Sequence, residues 1–183
     1  MKNVQSSKEK LKDCILVALF SALICVSSFI TIPSPVPFTL QTLAIFCSLT
    51  VLGGKRGLLS VILYIFLGII GLPVFSGFSG GLGHLTGATG GYITGFIFTA
   101  LIFYIVTEVF GSSVKAKAVG LISGLSACYL FGTLWYTAVF VSDISSEGFL
   151  SALTVCVAPF VVPDAIKIAV AILIGNKLSA FKF

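Results

Sequence analysis

The stretch "APFVVPDAIKIAV", residues 158–170, sets Asp164 and Lys167 three positions apart in an otherwise apolar run. On a helix that spacing places the carboxylate and the ammonium on one face, within reach of each other. Ionisable groups at membrane depth cost about 2.5–3.5 kcal/mol each on insertion scales, so they face protein or a watery cavity. The pair therefore marks a polar interior. Two readings stand: an ion pair that satisfies itself and locks its helix to the neighbours, or a ligand or ion site in which both groups make charge-assisted hydrogen bonds.

The elements that must position this pair follow from composition. The chain of 183 residues is 57% hydrophobic and 9% charged, with a mean hydropathy of +1.16, far from a soluble domain. No formal charge occurs from Cys14 to Gly54, from Gly57 to Thr107 or from Ala118 to Ser142, and about 20 apolar residues span a bilayer. Pro33, Pro35 and Pro37 divide the first run into a helix over Cys14–Ile32 and another over Thr39–Gly54. The segment "GGKRG" at 53–57 turns the chain, and the glycine-rich stretch separates helices over Leu58–Ile70 and Gly90–Val109. A fifth helix runs over Val119–Val141. Proline suits the first turn of a helix, so the sixth is placed from Pro163 to Ala180, with Asp164 in its first turn, favoured there by the helix dipole. A single kinked helix over Phe149–Ile174 is the alternative.

Charge orients these spans. With the N-terminus cytoplasmic, the inner segments hold Lys2, Lys8, Lys10, Lys12, Lys55, Arg56, Lys115, Lys117, Lys177 and Lys182, ten of the eleven basic residues, and the outer loops hold only His84, Asp143 and Glu147. This asymmetry predicts an all-α integral membrane protein of six transmembrane helices with both termini cytoplasmic. The whole chain, 1–183, is one membrane domain, with a cytoplasmic segment at 1–13, an external Gly-rich loop at about 73–89 and an external loop or lid at about 143–160. No removable secretory leader is expected. The net charge of +5 is a topology signal and does not call for nucleic acid.

The stretch "FSGFSGGLGHLTGATGGY", 75–92, lets backbone approach a ligand and carries hydroxyls between its glycines. No lysine follows in the Walker pattern, so phosphate cradling is not supported. The cysteines Cys14, Cys25, Cys47, Cys128 and Cys156 form no CxxC and read as buried thiols, and His84 stands alone, with no metal site expected. Trp135 and Tyr136 read as core or cavity wall, and Glu108 as a solvated inner residue.

Three segments together, "PVPFTLQTLA" at 35–44, "GLPVFSGFSGGLGHLTGATGGYITGF" at 71–96 and "PFVVPDAIK" at 159–167, closely resemble the BioY family, the biotin-binding membrane subunits (S components) of energy-coupling factor transporters. The resemblance implies the six-helix S-component fold and capture of biotin at the outer face. It also implies partnership with a transmembrane coupling protein and two cytoplasmic ATPases that use the ATP, in a prokaryotic plasma membrane, with no cofactor of the chain's own. Asp164 and Lys167 match the family's acidic and basic positions, Gly90, Gly91 and Tyr92 its "TGGY" segment, and Thr39 and Gln41 its "FTLQT" segment. The chain departs from the family in Ala88, where proline is common, and at Val162, Pro163, Asp164, where "PGD" is common. On this resemblance Asp164 accepts from the ureido N–H groups and Lys167 donates to the ligand. Phe75, Phe78 and Tyr92 are the expected wall. The sole arginine, Arg56, is placed inside, so the ligand carboxylate is assigned to Thr86, Thr89 and the N–H groups near Gly90. Ala18 and Ala22, four apart on the first helix, form a small-residue patch expected to meet the coupling protein, or to pack internally.

Two other classes of function fit the sequence less well. A self-sufficient secondary transporter would carry paired broken helices in corresponding halves, and none is legible. An S component for a different small vitamin is the nearer alternative. A membrane enzyme would need a nucleophile, base and orienter around Asp164 and Lys167, and none can be assembled.

Overall fold

The computed structural model describes residues 2–32, 36–141 and 146–179. Pro33, Pro35, Asp143 and Lys182 lie outside the described residues, as do the tip of the expected lid and the chain's last residues. In chain order the elements are α1 (Lys2–Phe29), β1 (Thr31–Ile32), β2 (Phe38–Thr39), α2 (Gln41–Leu52), α3 (Gly54–Ile69), α4 (Leu82–Leu85), α5 (Gly90–Phe110), α6 (Val114–Tyr136) with a π-helical extension (Thr137–Val141), α7 (Ser146–Cys156) and α8 (Ala158–Ser179). Helices form over the six expected segments, as α1, α2, α3, α5, α6 and α8, with shifted ends. Segment 1–13 is helical from Lys2 onward, continuous with the apolar part of α1.

Four stretches, Ser7–Phe29, Gly90–Phe110, Val114–Phe140 and Ala158–Leu178, are long and apolar enough to cross a membrane. The helix α2 has 12 residues, about 18 Å at 1.5 Å per residue. Its Ala44–Thr50 stretch is buried throughout, the polar Ser48 and Thr50 included, so it presents no lipid-facing stripe there.

The sixth helix begins earlier than Pro163. It starts at Ala158 and carries Pro163 inside, so Asp164 lies beyond the first turn and the dipole does not hold its charge. Proline removes one i→i−4 bond and crowds the preceding turn; so close to the helix start, α8 absorbs both. The part of 143–160 that is described forms α7, separated from α8 by a turn at Val157.

Between apolar helices in lipid, close packing and interhelical hydrogen bonds replace water exclusion as the driving force. The pair α5–α6 shows both. A Cβ on Gly124 would sit 2.7 Å from the Thr99 carbonyl oxygen, and the Thr99 hydroxyl donates to the Gly124 carbonyl at 3.1 Å. The α2–α8 pair is tied by the Thr50 hydroxyl donating to the Ala171 carbonyl at 2.8 Å. Ile24, Ile45, Leu49, Val61, Phe103 and Leu121 fill the centre. At one end α1 is pinned to the loop 71–89, where the Ser28 hydroxyl donates to the Val74 carbonyl at 2.6 Å.

Candidate ligand-binding site

The charged centre of the site is assembled by α2, α6, α8 and a hairpin, while α5, α7 and the loop 71–89 complete its walls. The antiparallel pairing of Thr31 with Thr39 and Ile32 with Phe38 folds the chain back after α1. It delivers the Thr39 carbonyl and the Phe38 ring to the face of α8. There the Lys167 ammonium donates to Asp164 Oδ1 at 2.8 Å, to Thr42 Oγ1 at 2.8 Å and to the Thr39 carbonyl at 2.9 Å. Its Nζ also lies 4.2 Å from the Phe38 ring centroid. An ammonium has three donors, and here all three are taken by protein.

Asp164 is 2% exposed and Lys167 7%, so the pair is paid for by geometry. A buried ion pair is tolerable only when its remaining lone pairs and protons are met. Oδ1 accepts from Lys167 and from the Thr42 hydroxyl at 3.0 Å, and Oδ2 accepts from the Tyr129 hydroxyl of α6 at 2.5 Å. A carboxylate oxygen accepts two hydrogen bonds, so Oδ2 keeps room for another donor.

This network forms one wall of a cavity that is partly open to solvent. The rest is mainly apolar: Val36, Ile93, Phe96, Leu125, Cys128, Cys156 and Phe160, with Tyr92 alongside. Hydroxyls of Ser76 and Thr89 and the Gln41 amide add polar points. Gln41 is held by its Nε2 donating to the buried Tyr64 hydroxyl at 2.8 Å. The Tyr92 and Thr133 hydroxyls meet at 3.1 Å, and the Tyr92 ring occupies the space that a Cβ on Gly132 would take.

Of the residues expected from sequence, Asp164, Lys167, Tyr92, Thr39, Gln41 and Thr89 line the cavity. Gly90 and Gly91 shape it from behind: the Gly90 N–H donates to the Gly87 carbonyl at 3.2 Å, and Gly91 lets the Trp135 side chain close in. The indole N–H of Trp135 then donates to the same Gly87 carbonyl at 3.0 Å. Three expected residues are elsewhere. Phe75 is fully buried, edge-on to Tyr64 with centroids 5.6 Å apart and stacked on His84. Phe78 stacks on Phe29 at 4.3 Å outside the cavity, and the Thr86 hydroxyl is spent on the Gly83 carbonyl at 3.0 Å. The cause is the loop backbone: Gly77, Phe78 and Gly81 all have positive φ, so side-chain directions there follow no period. Ser76 takes the inward position instead.

Sequence reasoning missed Thr42, Tyr129, Phe38 and Phe160. Tyr129 and Thr133 lie four apart on α6, and that polar stripe on an apolar span was the available signal. His84 contacts both Ser79 and Thr89 hydroxyls at 3.4 Å through Nε2, and burial in the loop lowers its pKa below the ordinary histidine value. Ala18 and Ala22 lie on an exposed face of α1.

A membrane-embedded helical bundle around a mainly apolar cavity with one buried, charge-balanced polar wall is the class that fold and site define. The chain belongs to the BioY family, whose model matches residues 1–182. It is 42% identical over 171 residues to the probable biotin transporter BioY of Pyrococcus horikoshii, covering 92% of this chain and 97% of that one. It is 41% identical over 169 residues to the biotin transporter BioY of Thermotoga maritima, covering 92% and 96%. A crystal structure of the S-component for biotin from an ECF-type ABC transporter superposes with a TM-score of 0.81 at 27% identity, covering 94% of this chain and 93% of that one.

Proposed function

We propose that this chain is the substrate-capture subunit of an energy-coupling factor transporter and that its cavity holds biotin. The observation that carries this is the Asp164–Lys167–Tyr129 network at the wall of an otherwise apolar cavity, in a chain whose relatives are biotin transporters. Biotin offers two ureido N–H donors, a ureido carbonyl, an apolar thioether ring and a carboxylate on an apolar tail. The open acceptor on Asp164 Oδ2 suits a ureido N–H. Lys167, with its donors filled, fixes the carboxylate and balances its charge; the ligand bond first expected of it falls to the Gln41 amide, which has a second N–H beyond the one given to Tyr64. Tyr92, Phe96 and Phe160 supply wall, and Thr89 with Ser76 supplies hydroxyls for the carboxylate in place of Thr86.

On this reading six crossings are made by α1, α2, α3, α5, α6 and α8, with both chain ends cytoplasmic and the loop 71–89 and α7 outside. The exposed patch of Ala18 and Ala22 faces the coupling protein. Two ATPases supply the energy, and the chain itself needs no cofactor and performs no reaction. Equilibrium binding of labelled biotin to the purified chain in detergent tests this. Saturable one-to-one binding, weakened about 100-fold in Asp164→Asn by loss of a charged, buried acceptor, is expected. Absence of binding by a well-folded wild type overturns the assignment.

A further inference from the structure

At the opposite end of the bundle a second lysine is buried without a counter-ion. Lys117 of α6 is 6% exposed, and its ammonium donates to the Asn176 side-chain oxygen at 2.9 Å. No carboxylate lies within 4.0 Å of it among the described residues, whose ion pairs are Arg56–Asp13 and Lys167–Asp164. Lys117 lines a cavity with Thr107, Ser112, Arg56 and the α2–α3 turn at Gly53 and Gly54. An adjoining groove shares Leu52, Gly53, Gly54 and Arg56 with that cavity and lies between α1 and α3, lined by Val17 on α1 and by Leu59, Ile62 and Phe66 on α3. The three α3 side chains are exposed in the isolated chain. The charges around that groove, Asp13 and Glu108 against Lys55 and Arg56, cancel. The uncompensated charge is that of Lys117.

We propose that cavity and groove together bind one acidic phospholipid, its phosphate at Lys117 and an acyl chain along Leu59, Ile62 and Phe66. The chemistry is complementary at both ends. A buried cation is costly without an anion, an oxyanion satisfies the donors that Asn176 leaves, and an apolar surface facing a bilayer is met by hydrocarbon. Juxtamembrane basic residues attract anionic headgroups generally; here one of them is recessed into a cavity shaped by a turn.

Native mass spectrometry of the full chain in mild detergent tests this, with phosphatidylglycerol and phosphatidylcholine of matched acyl chains as probes. Wild type should retain phosphatidylglycerol about tenfold more strongly, the worth of one charge-assisted hydrogen bond. Lys117→Met should abolish the preference and Lys117→Arg should keep it. Biotin binding at the distant site reports that each variant is folded, and Lys117→Gln replaces Lys117→Met if the latter fails that check. Equal retention of the two lipids by wild type, or an unchanged preference in the charge-free variants, overturns the proposal. So does loss of the preference on adding inorganic phosphate alone, which would make this a free-anion site.

Discussion

Lys167 and Lys117 are nearly equally buried, 7% and 6% exposed, and their surroundings are opposites. Lys167 has a carboxylate, a hydroxyl, a carbonyl and an aromatic face within reach. Lys117 has one amide oxygen. The first is a closed electrostatic unit that hands a single free acceptor, on Asp164, to the cavity. The second is an open one that still asks for an anion. Burial alone therefore does not tell what a charged group in a membrane bundle is for; what distinguishes them is whether the protein completes the charge.

That contrast can be broken by deleting each ammonium in turn. Lys167→Met should cost about 3–5 kcal/mol of stability, because it strands a buried carboxylate, and biotin binding should go with it; thermal unfolding in detergent measures the first. Lys117→Met strands no opposite charge among the described residues, and its unfolding midpoint in lipid-free detergent should stay near that of wild type. Equal losses in the two variants would erase the distinction. A finer cut is Tyr129→Phe, which removes only the hydroxyl on Asp164 Oδ2. Biotin affinity should fall about tenfold, the worth of one hydrogen bond to a charged group, and stability by about 1–3 kcal/mol, because a buried carboxylate oxygen loses its donor.

The smallest effect concerns the loop. Because burial depresses the His84 pKa, the folded loop disfavours the imidazolium. The stability contributed by neutral His84 is complete above its unfolded pKa of about 6.5 and is lost as pH falls through the lower folded value. Since His84 touches Thr89 of the cavity wall, biotin affinity should weaken mildly as pH falls through that lowered value, and His84→Gln should flatten that dependence.

Much of this was legible in the sequence for a physical reason: charge is so expensive in a bilayer that Asp164 and Lys167 stood out unaided, and the uncharged runs marked the long spans. Side-chain partners were not. Thr42 and Tyr129 meet Asp164 across sequence separations of 122 and 35 residues, and no local pattern encodes such contacts. Pro163 misled because proline is tolerated near a helix start as well as at it, so α8 ran back to Ala158. Phe75 and Phe78 were assigned to the wall as bulky residues in a loop, but positive-φ turns set their directions.

The hairpin and α2 also fix an order of assembly. Thr39 leaves the ribosome 128 residues ahead of Lys167, whose ammonium its carbonyl accepts. Through most of synthesis α2 thus presents Thr39 and Thr42 to a partner that does not yet exist. The binding cavity can close only when the last helix inserts, so a chain truncated before α8 would hold every other wall and still be unable to grip its ligand.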